Sequence, residues 1–183
     1  MASERIDLPE GPARIAVVAD SHSKPHSRAL ELVSLVAPPA ILHAGDIGNL
    51  RVLDDLEAIA PLFAVRGNID GHDPRTPDYR IIDLERDGRR ILRILLTHIA
   101  VYGPKLRKDV RERARAEGAQ LVVCGHSHVP LVAADHGITV FNPGSLGPRR
   151  FQLPIVFGVL EIGDKLGFSH IDCETGEAWS PPG

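Results

Sequence analysis

Short apolar runs alternate with longer amphipathic stretches along the first third of the chain. Ile15-Ala16-Val17-Val18-Ala19 is a continuous apolar run of strand length, the pattern of a strand buried on both faces. A helix is predicted from near Ser27, a residue type that caps helix starts. Leu30, Val33 and Leu35-Val36 give it an apolar face, and Pro38-Pro39 stops it. The plan then repeats. Ala40-Ile41-Leu42-His43-Ala44 reads as a strand, and a second helix runs from near Asn49 with Leu53, Leu56 and Ile59 at helical spacing. Pro61 closes that helix, and Leu62-Phe63-Ala64-Val65 is a third strand. Strand, helix, strand, helix, strand is the pattern of a parallel sheet with crossover helices.

The second half changes character. Arg80 to Glu85 and Arg90 to Leu96 flank Asp87-Gly88, a strong hairpin signal. Pro104 to Glu117 reads as a helix with Leu106, Val110 and Ala114 turned inward and Gly118 ending it. On its outer side Asp109 with Arg113, and Arg113 with Glu117, are spaced to pair as a solvated face. Leu121-Val122-Val123 is a further buried strand. Short strands follow over Leu131 to Ala134, Ile138 to Phe141, Ile155 to Ile162 and Gly167 to Ile171. Residues 1–13 read as an extended lead-in and residues 174–183 as an irregular tail. The expectation is a single α/β domain spanning residues 1–183. The strand count fits a four-layer α/β/β/α sandwich, two mixed sheets flanked by helices, better than one doubly wound sheet.

Composition narrows the class. With 43% hydrophobic and 25% charged residues, the chain has the make-up of an ordinary globular protein. A net charge of -3 gives no global electrostatic case for nucleic acid or for an anionic membrane. The two cysteines, Cys124 and Cys173, form no CxxC motif, which fits a reducing cytoplasm. The start, Met1-Ala2-Ser3-Glu4-Arg5-Ile6-Asp7, lacks the basic-then-apolar order of a signal peptide. No apolar run approaches the ~20 residues of a membrane span.

The polar residues carry the chemistry, through where they fall. Asp20 and His22 follow the first strand, Asp46 the second and Asn68 the third. His98 follows the strand ending at Leu96, and His126 and His128 follow Val123. Ligands of open α/β sheets gather outside the carboxyl ends of the strands. Carboxylate, amide oxygen and imidazole together suit divalent ions such as Mn²⁺, Fe²⁺ or Zn²⁺. Each element alone has an ordinary explanation: Gly45-Asp46 and Gly67-Asn68 as turns, His98 as a core histidine, His126-Ser127-His128 as a polar loop. The ordered set needs all of these to hold at once. Seven ligands are too many for one zinc-type site and suit two ions sharing a carboxylate.

The series Asp20-x-His22, Gly45-Asp46, Gly67-Asn68, His98 and Gly125-His126-x-His128 resembles the calcineurin-like metallophosphoesterase superfamily. The small size, His43-Ala44-Gly45-Asp46 and the later Asn142-Pro143-Gly144-Ser145 with Pro148-Arg149 resemble its YfcE-like phosphodiesterase branch. The resemblance implies the α/β/β/α sandwich and a centre of two divalent ions, manganese first, with iron, zinc or nickel as alternatives. One ion would be held by Asp20, His22, Asp46 and His128, the other by Asp46, Asn68, His98 and His126, with Asp46 bridging. Asp46, Asn68 and His98 would be the residues closest to the reaction, in which a hydroxide bridging the ions attacks a small phosphoester. The favoured reaction is phosphodiester hydrolysis. A phosphomonoesterase of small metabolites and a non-catalytic scaffold like the retromer coat subunit are the alternatives. A homo-oligomer, dimer or tetramer, stays open, and neither nucleic acid nor membrane is indicated.

The chain departs from the family in two places. The superfamily often has a histidine after the Asn of its Gly-Asn pair, where this chain has Ile69; the branch often has Thr-His-Gly-His, where this chain reads Thr97-His98-Ile99-Ala100. With those imidazoles missing, esters with easily expelled leaving groups are expected to react well and alkyl phosphates poorly. His72 is near enough in sequence to serve as an acid, though a solvated loop histidine is the plainer reading, and Arg149 is the candidate phosphate-binding arginine, ahead of Arg66 and Arg150. His43 is expected to support the site rather than bind a metal, and Cys124 to be an inert buried thiol.

Overall fold

The first strand of the chain lies inside the expected lead-in. In the computed structural model, which describes residues 3–181, β1 (Glu4–Asp7) pairs in parallel with β5 along the edge of a sheet. It is followed by β2 (Ala13–Val18), α1 (Ala29–Leu35), β3 (Ile41–His43), α2 (Arg51–Glu57) and β4 (Leu62–Ala64). Next come β5 (Tyr79–Arg86), β6 (Arg89–Thr97), β7 (Val101–Tyr102), β8 (Lys105–Leu106) and α3 (Lys108–Glu117). The chain ends with β9 (Leu121–Val123), β10 (Leu131–Asp135), β11 (Ile138–Asn142), β12 (Val156–Ile162), β13 (Leu166–Asp172) and β14 (Ala178–Trp179).

These strands form two six-stranded mixed sheets, in the orders β1-β5-β6-β9-β11-β10 and β14-β13-β12-β2-β3-β4. The period of two in β2 explains the stacking. Ile15, Val17 and Ala19 face the other sheet, where they meet Leu92, Ile94, Leu96, Val123 and Phe141; Ala16 and Val18 face α1 and α2. On the far side, Leu95 and Val122 pack under Val110 and Ala114 of α3. The result is the four-layer α/β/β/α sandwich, with the apolar runs of β2, β3 and β9 buried between its layers.

Three local expectations are corrected. The helix expected from Pro104 begins only at Lys108, because Lys105–Leu106 turn back on Val101–Tyr102 as a two-stranded ribbon. The tail is not irregular throughout: β14 pairs with β13, bringing Trp179 opposite His170. Met1, Ala2, Pro182 and Gly183, the outermost residues of the expected lead-in and tail, lie outside the described residues. α1 starts at Ala29, and no side chain caps it, so Ser27 is not its cap. Among the described residues, no helix is long and apolar enough to cross a membrane.

One consequence of the stacking positions the site. β2, β3 and β4 run parallel in one sheet, and β6, β9 and β11 run parallel in the other. Their carboxyl ends come together on one rim of the sandwich.

Candidate metal centre

The loops leaving these strands are stitched to one another by backbone bonds that extend the ladders past their ends. Asp20, His22 and Ser23 N–H groups donate to the carbonyls of Gly45, Asp46 and Ile47. Gly125 N–H donates to the His98 carbonyl, and Leu146 and Gly147 donate to those of Ala19 and Asp20. The side chains therefore project from a backbone that is already hydrogen-bonded.

That backbone is strained where the polar side chains sit. Asp20, His22, Asp46, His126 and His128 all have φ between 44° and 70°, the left-handed region that non-glycine residues avoid. Gly67 carries the closest approach: a Cβ there would overlap the Asp46 backbone and carboxylate, so glycine is required beside it.

Two groups of ligand atoms result. Asp20, His22 and His128 form one; Asp46, His98 and His126 form the other, and within each group the candidate atoms lie within 4.8 Å of one another. Asp46 joins the two. Its Oδ1 lies 3.2 Å from His98 Nε2 and its Oδ2 lies 3.7 Å from His22 Nε2. His128 Nε2 is 3.4 Å from Asp20 Oδ1 and 3.2 Å from His22 Nε2. Asn68 stands on the wall of a cavity that it shares with His98, and its side chain makes no hydrogen bond among the described residues. The structure thus brings Asp20, His22, Asp46, His98, His126 and His128 together, and Asn68 lines the cavity beside His98.

The electrostatics fit a cation. Asp20 and Asp46 are buried, and neither has a lysine or arginine partner among the described residues; their neighbours are imidazoles. Burial works against ionisation of Asp46, yet the His98 imidazole beside it and the Ile69 N–H hold its carboxyl well below the usual range. Burial likewise opposes charge on His98, but Asp46 and Asp20 outweigh it and raise its pKa. Burial lowers those of His22 and His126. His98 Nε2 and His128 Nδ1 are buried without a hydrogen-bond partner among the described residues. His98 Nε2, unpaired beside the Asp46 carboxylate, is the kind of nitrogen a divalent ion would satisfy, whereas His128 turns its other nitrogen, Nε2, toward Asp20.

The supporting contacts are equally specific. His98 Nδ1–H donates to the Ala44 carbonyl at 2.7 Å, which fixes the tautomer that leaves Nε2 free. His43 is fully buried. Its Nδ1 accepts the Gly45 N–H, so Nε2–H donates to Ser21 Oγ, which in turn donates to the Ile47 carbonyl. Burial lowers the His43 pKa to about 4, in keeping with a neutral ring. Asn142-Pro143-Gly144-Ser145 is a turn against the site: Asn142 Nδ2 donates to the Gly125 carbonyl and Ser145 Oγ to that of Asp20. Cys124 is sealed in, and burial pushes its thiol up to about 12.

Sequence reasoning missed Asp70. Its carboxylate accepts the N–H groups of Ile47, Gly48 and Gly67, tying the loop after β3 to the loop after β4. Its place three residues after Gly67 is the one signal, since Asp accepts bonds from nearby backbone in such turns. Two other expected residues are not brought in. Arg149 is turned away, paired with Glu174 and donating to the Leu153 carbonyl, while Arg150 reaches to 3.4 Å from His22 Nε2. His72 is exposed and makes no described contact with the cluster.

A sequence profile of the calcineurin-like phosphoesterase superfamily domain matches residues 14–165. The chain belongs to this superfamily. The probable metallophosphoesterase of Methanothermobacter thermautotrophicus is 32% identical over 158 residues, covering 83% of this chain and 88% of that protein. Phosphodiesterase YfcE of Escherichia coli is 29% identical over 155 residues, 73% of this chain and 78% of YfcE. The YfcE structure aligns with a TM-score of 0.64 at 22% identity, covering 91% of this chain and 97% of that one. The chain thus sits with the YfcE-like branch. Vacuolar protein sorting 29 of Cryptosporidium parvum aligns with a TM-score of 0.74 at 18% identity, covering 92% and 95%, a likeness of fold alone.

Proposed function

We propose that this metallophosphoesterase is a phosphodiesterase working at a two-metal centre, with Asp46 as the shared carboxylate. The observation that carries the reading is the orientation of Asp46: its two oxygens face different histidines, His98 on one side and His22 on the other. In this reading Asp20, His22, Asp46 and His128 hold one ion, and Asp46, Asn68, His98 and His126 hold the other, manganese being the first choice. Such ions, when bound, lower the pKa of a shared water and neutralise charge on the phosphoryl oxygens.

The chain's own residues do the rest. His98 is oriented by Ala44, Asp46 by the Ile69 N–H, and Asp20 by the His126 N–H at 3.0 Å. In this reading Arg150, rather than Arg149, would meet a phosphoryl oxygen, supported by its position beside His22. A cytoplasmic setting belongs to the same reading, supported by two unpaired, buried cysteines.

The test is a panel of phosphoesters offered to protein reconstituted with Mn²⁺, Fe²⁺, Zn²⁺ or Ni²⁺, wild type against Asp46→Asn. We expect diester hydrolysis that depends on added metal and is lost in the variant. Aryl diesters should outpace alkyl ones by more than their intrinsic reactivity, because neither Ile69 nor Ala100 offers a proton. General-acid help is typically worth about 10²–10⁴-fold. Activity on monoesters only would move the reading to a phosphomonoesterase. No metal-dependent turnover of any ester would favour a scaffold.

A further inference from the structure

A cavity of about 450 Å³ opens beside the candidate centre, and its walls include Asn68 and His98. β5 and β6 supply one side through Tyr79, Leu95 and Thr97; the start of α3 supplies the other through Asp109, Val110 and Arg113. A volume of this order suits one small organic group.

The charges in this cavity do not cancel. Arg66 pairs with Asp78, and Arg107 pairs with Asp109 at 3.2 Å. Arg113 pairs with neither Asp109 nor Glu117, the partners its helical spacing suggested. Its guanidinium lies over the Tyr79 ring, 4.1 Å from the centroid, and makes no ion pair among the described residues. Stacking on an aromatic face orients a guanidinium while leaving its N–H edge free for an anion. The helix face expected to be plain solvated surface therefore presents an oriented, uncompensated cation to a cavity that reaches His98.

We infer that this cavity receives one ester arm of the substrate, that the arm carries a second negative charge, and that Arg113 reads that charge. The inference rests on the phosphodiesterase reading above, and it names the substrate class: phosphodiesters with an anionic arm. Arg113 is here a specificity residue. It touches the arm and not the reacting phosphorus.

Two symmetric diesters test it, bis(4-carboxyphenyl) phosphate and its neutral counterpart bis(4-methoxycarbonylphenyl) phosphate. Symmetry removes the question of which arm enters the cavity. Intrinsic leaving-group reactivity cancels when one compares how the ratio of kcat/KM values changes between wild type and variant. In Arg113→Gln we expect the preference for the carboxylate diester to fall about tenfold, the worth of a charge-assisted hydrogen bond, with the neutral diester unchanged. Arg113→Lys should keep part of the preference. A ratio that shifts less than twofold in Arg113→Gln, or an equal loss on both diesters, would overturn the inference. The same pair is titrated calorimetrically into metal-free protein. If the metal-loaded enzyme turns over neither diester, the phosphodiesterase reading fails. The subsite then stands or falls on whether the carboxylate diester binds more tightly to wild type than to Arg113→Gln.

Discussion

At the scale of single residues, the centre depends on side chains that hold other side chains. Asp70 shows this most clearly. Its carboxylate gathers three backbone N–H groups from two loops, and those loops carry Asp46 and Asn68. Asp70→Asn keeps the shape but swaps one acceptor oxygen for a donor, which repels at least one of these N–H groups. We expect metal affinity to fall about 10–100-fold, the usual cost of disturbing a residue behind the ligands, with little change in melting temperature. Equilibrium dialysis against Mn²⁺ checks it. The candidate ligands themselves were legible in the sequence, because unbroken apolar runs mark where each strand ends and Asp, Asn or His follows. Asp70 was not. Its role comes from how two loops fold over it, and no periodicity encodes that. Arg149 and Arg150 differ for the same reason: adjacent in sequence, they leave a loop in opposite directions.

Among the elements, what matters is how the strand ends are fastened. Arg80 of β5 donates to the Ala64 carbonyl at the end of β4 and to the Arg75 carbonyl, and it also pairs with Glu4 of β1 at 2.6 Å. It links the two sheets beside the loop that carries Asn68. Arg80→Met retains much of the apolar stem but leaves both carbonyls without their donor. The expected cost is about 1–3 kcal/mol, read from the shift in the urea midpoint. The central strands of the sandwich could be read from pattern because both of their faces are buried. The pieces that could not are short: β1, the β7–β8 ribbon and β14 have four residues or fewer each. Unlike β3, β4 and β9, which are as short but lie in apolar runs, these pieces are half-exposed and carry no buried apolar run, and their pairing is decided by the neighbouring strand.

At the scale of the whole molecule, a buried carboxylate paired with arginine, Asp83, lies within a strand rather than on the rim. Asp83 lies directly across from Arg93 in the β5–β6 hairpin and accepts two hydrogen bonds from it, each 2.7 Å long. The Arg93 hydrogen bond holds the Asp83 carboxyl below its usual value despite burial. A folded-state pKa below the unfolded one means the stabilisation is complete above the ordinary Asp value of about 3.9. It is lost as pH falls from there through the folded pKa. Asp83→Asn should therefore lower the urea midpoint at neutral pH and flatten its further decline between pH 4 and pH 2; an unchanged acid limb would contradict this. The rim where both sheets end is the other whole-molecule feature. It concentrates the buried acids Asp20 and Asp46 and four histidines at one edge. The measurement that bears most directly on this account is the number of manganese ions bound per chain, by equilibrium dialysis with elemental analysis, in wild type and Asp46→Asn. Two ions in the wild type and at most one in the variant, with diester hydrolysis lost, is the expected result. One ion or none in the wild type, or two in an active Asp46→Asn, would contradict it.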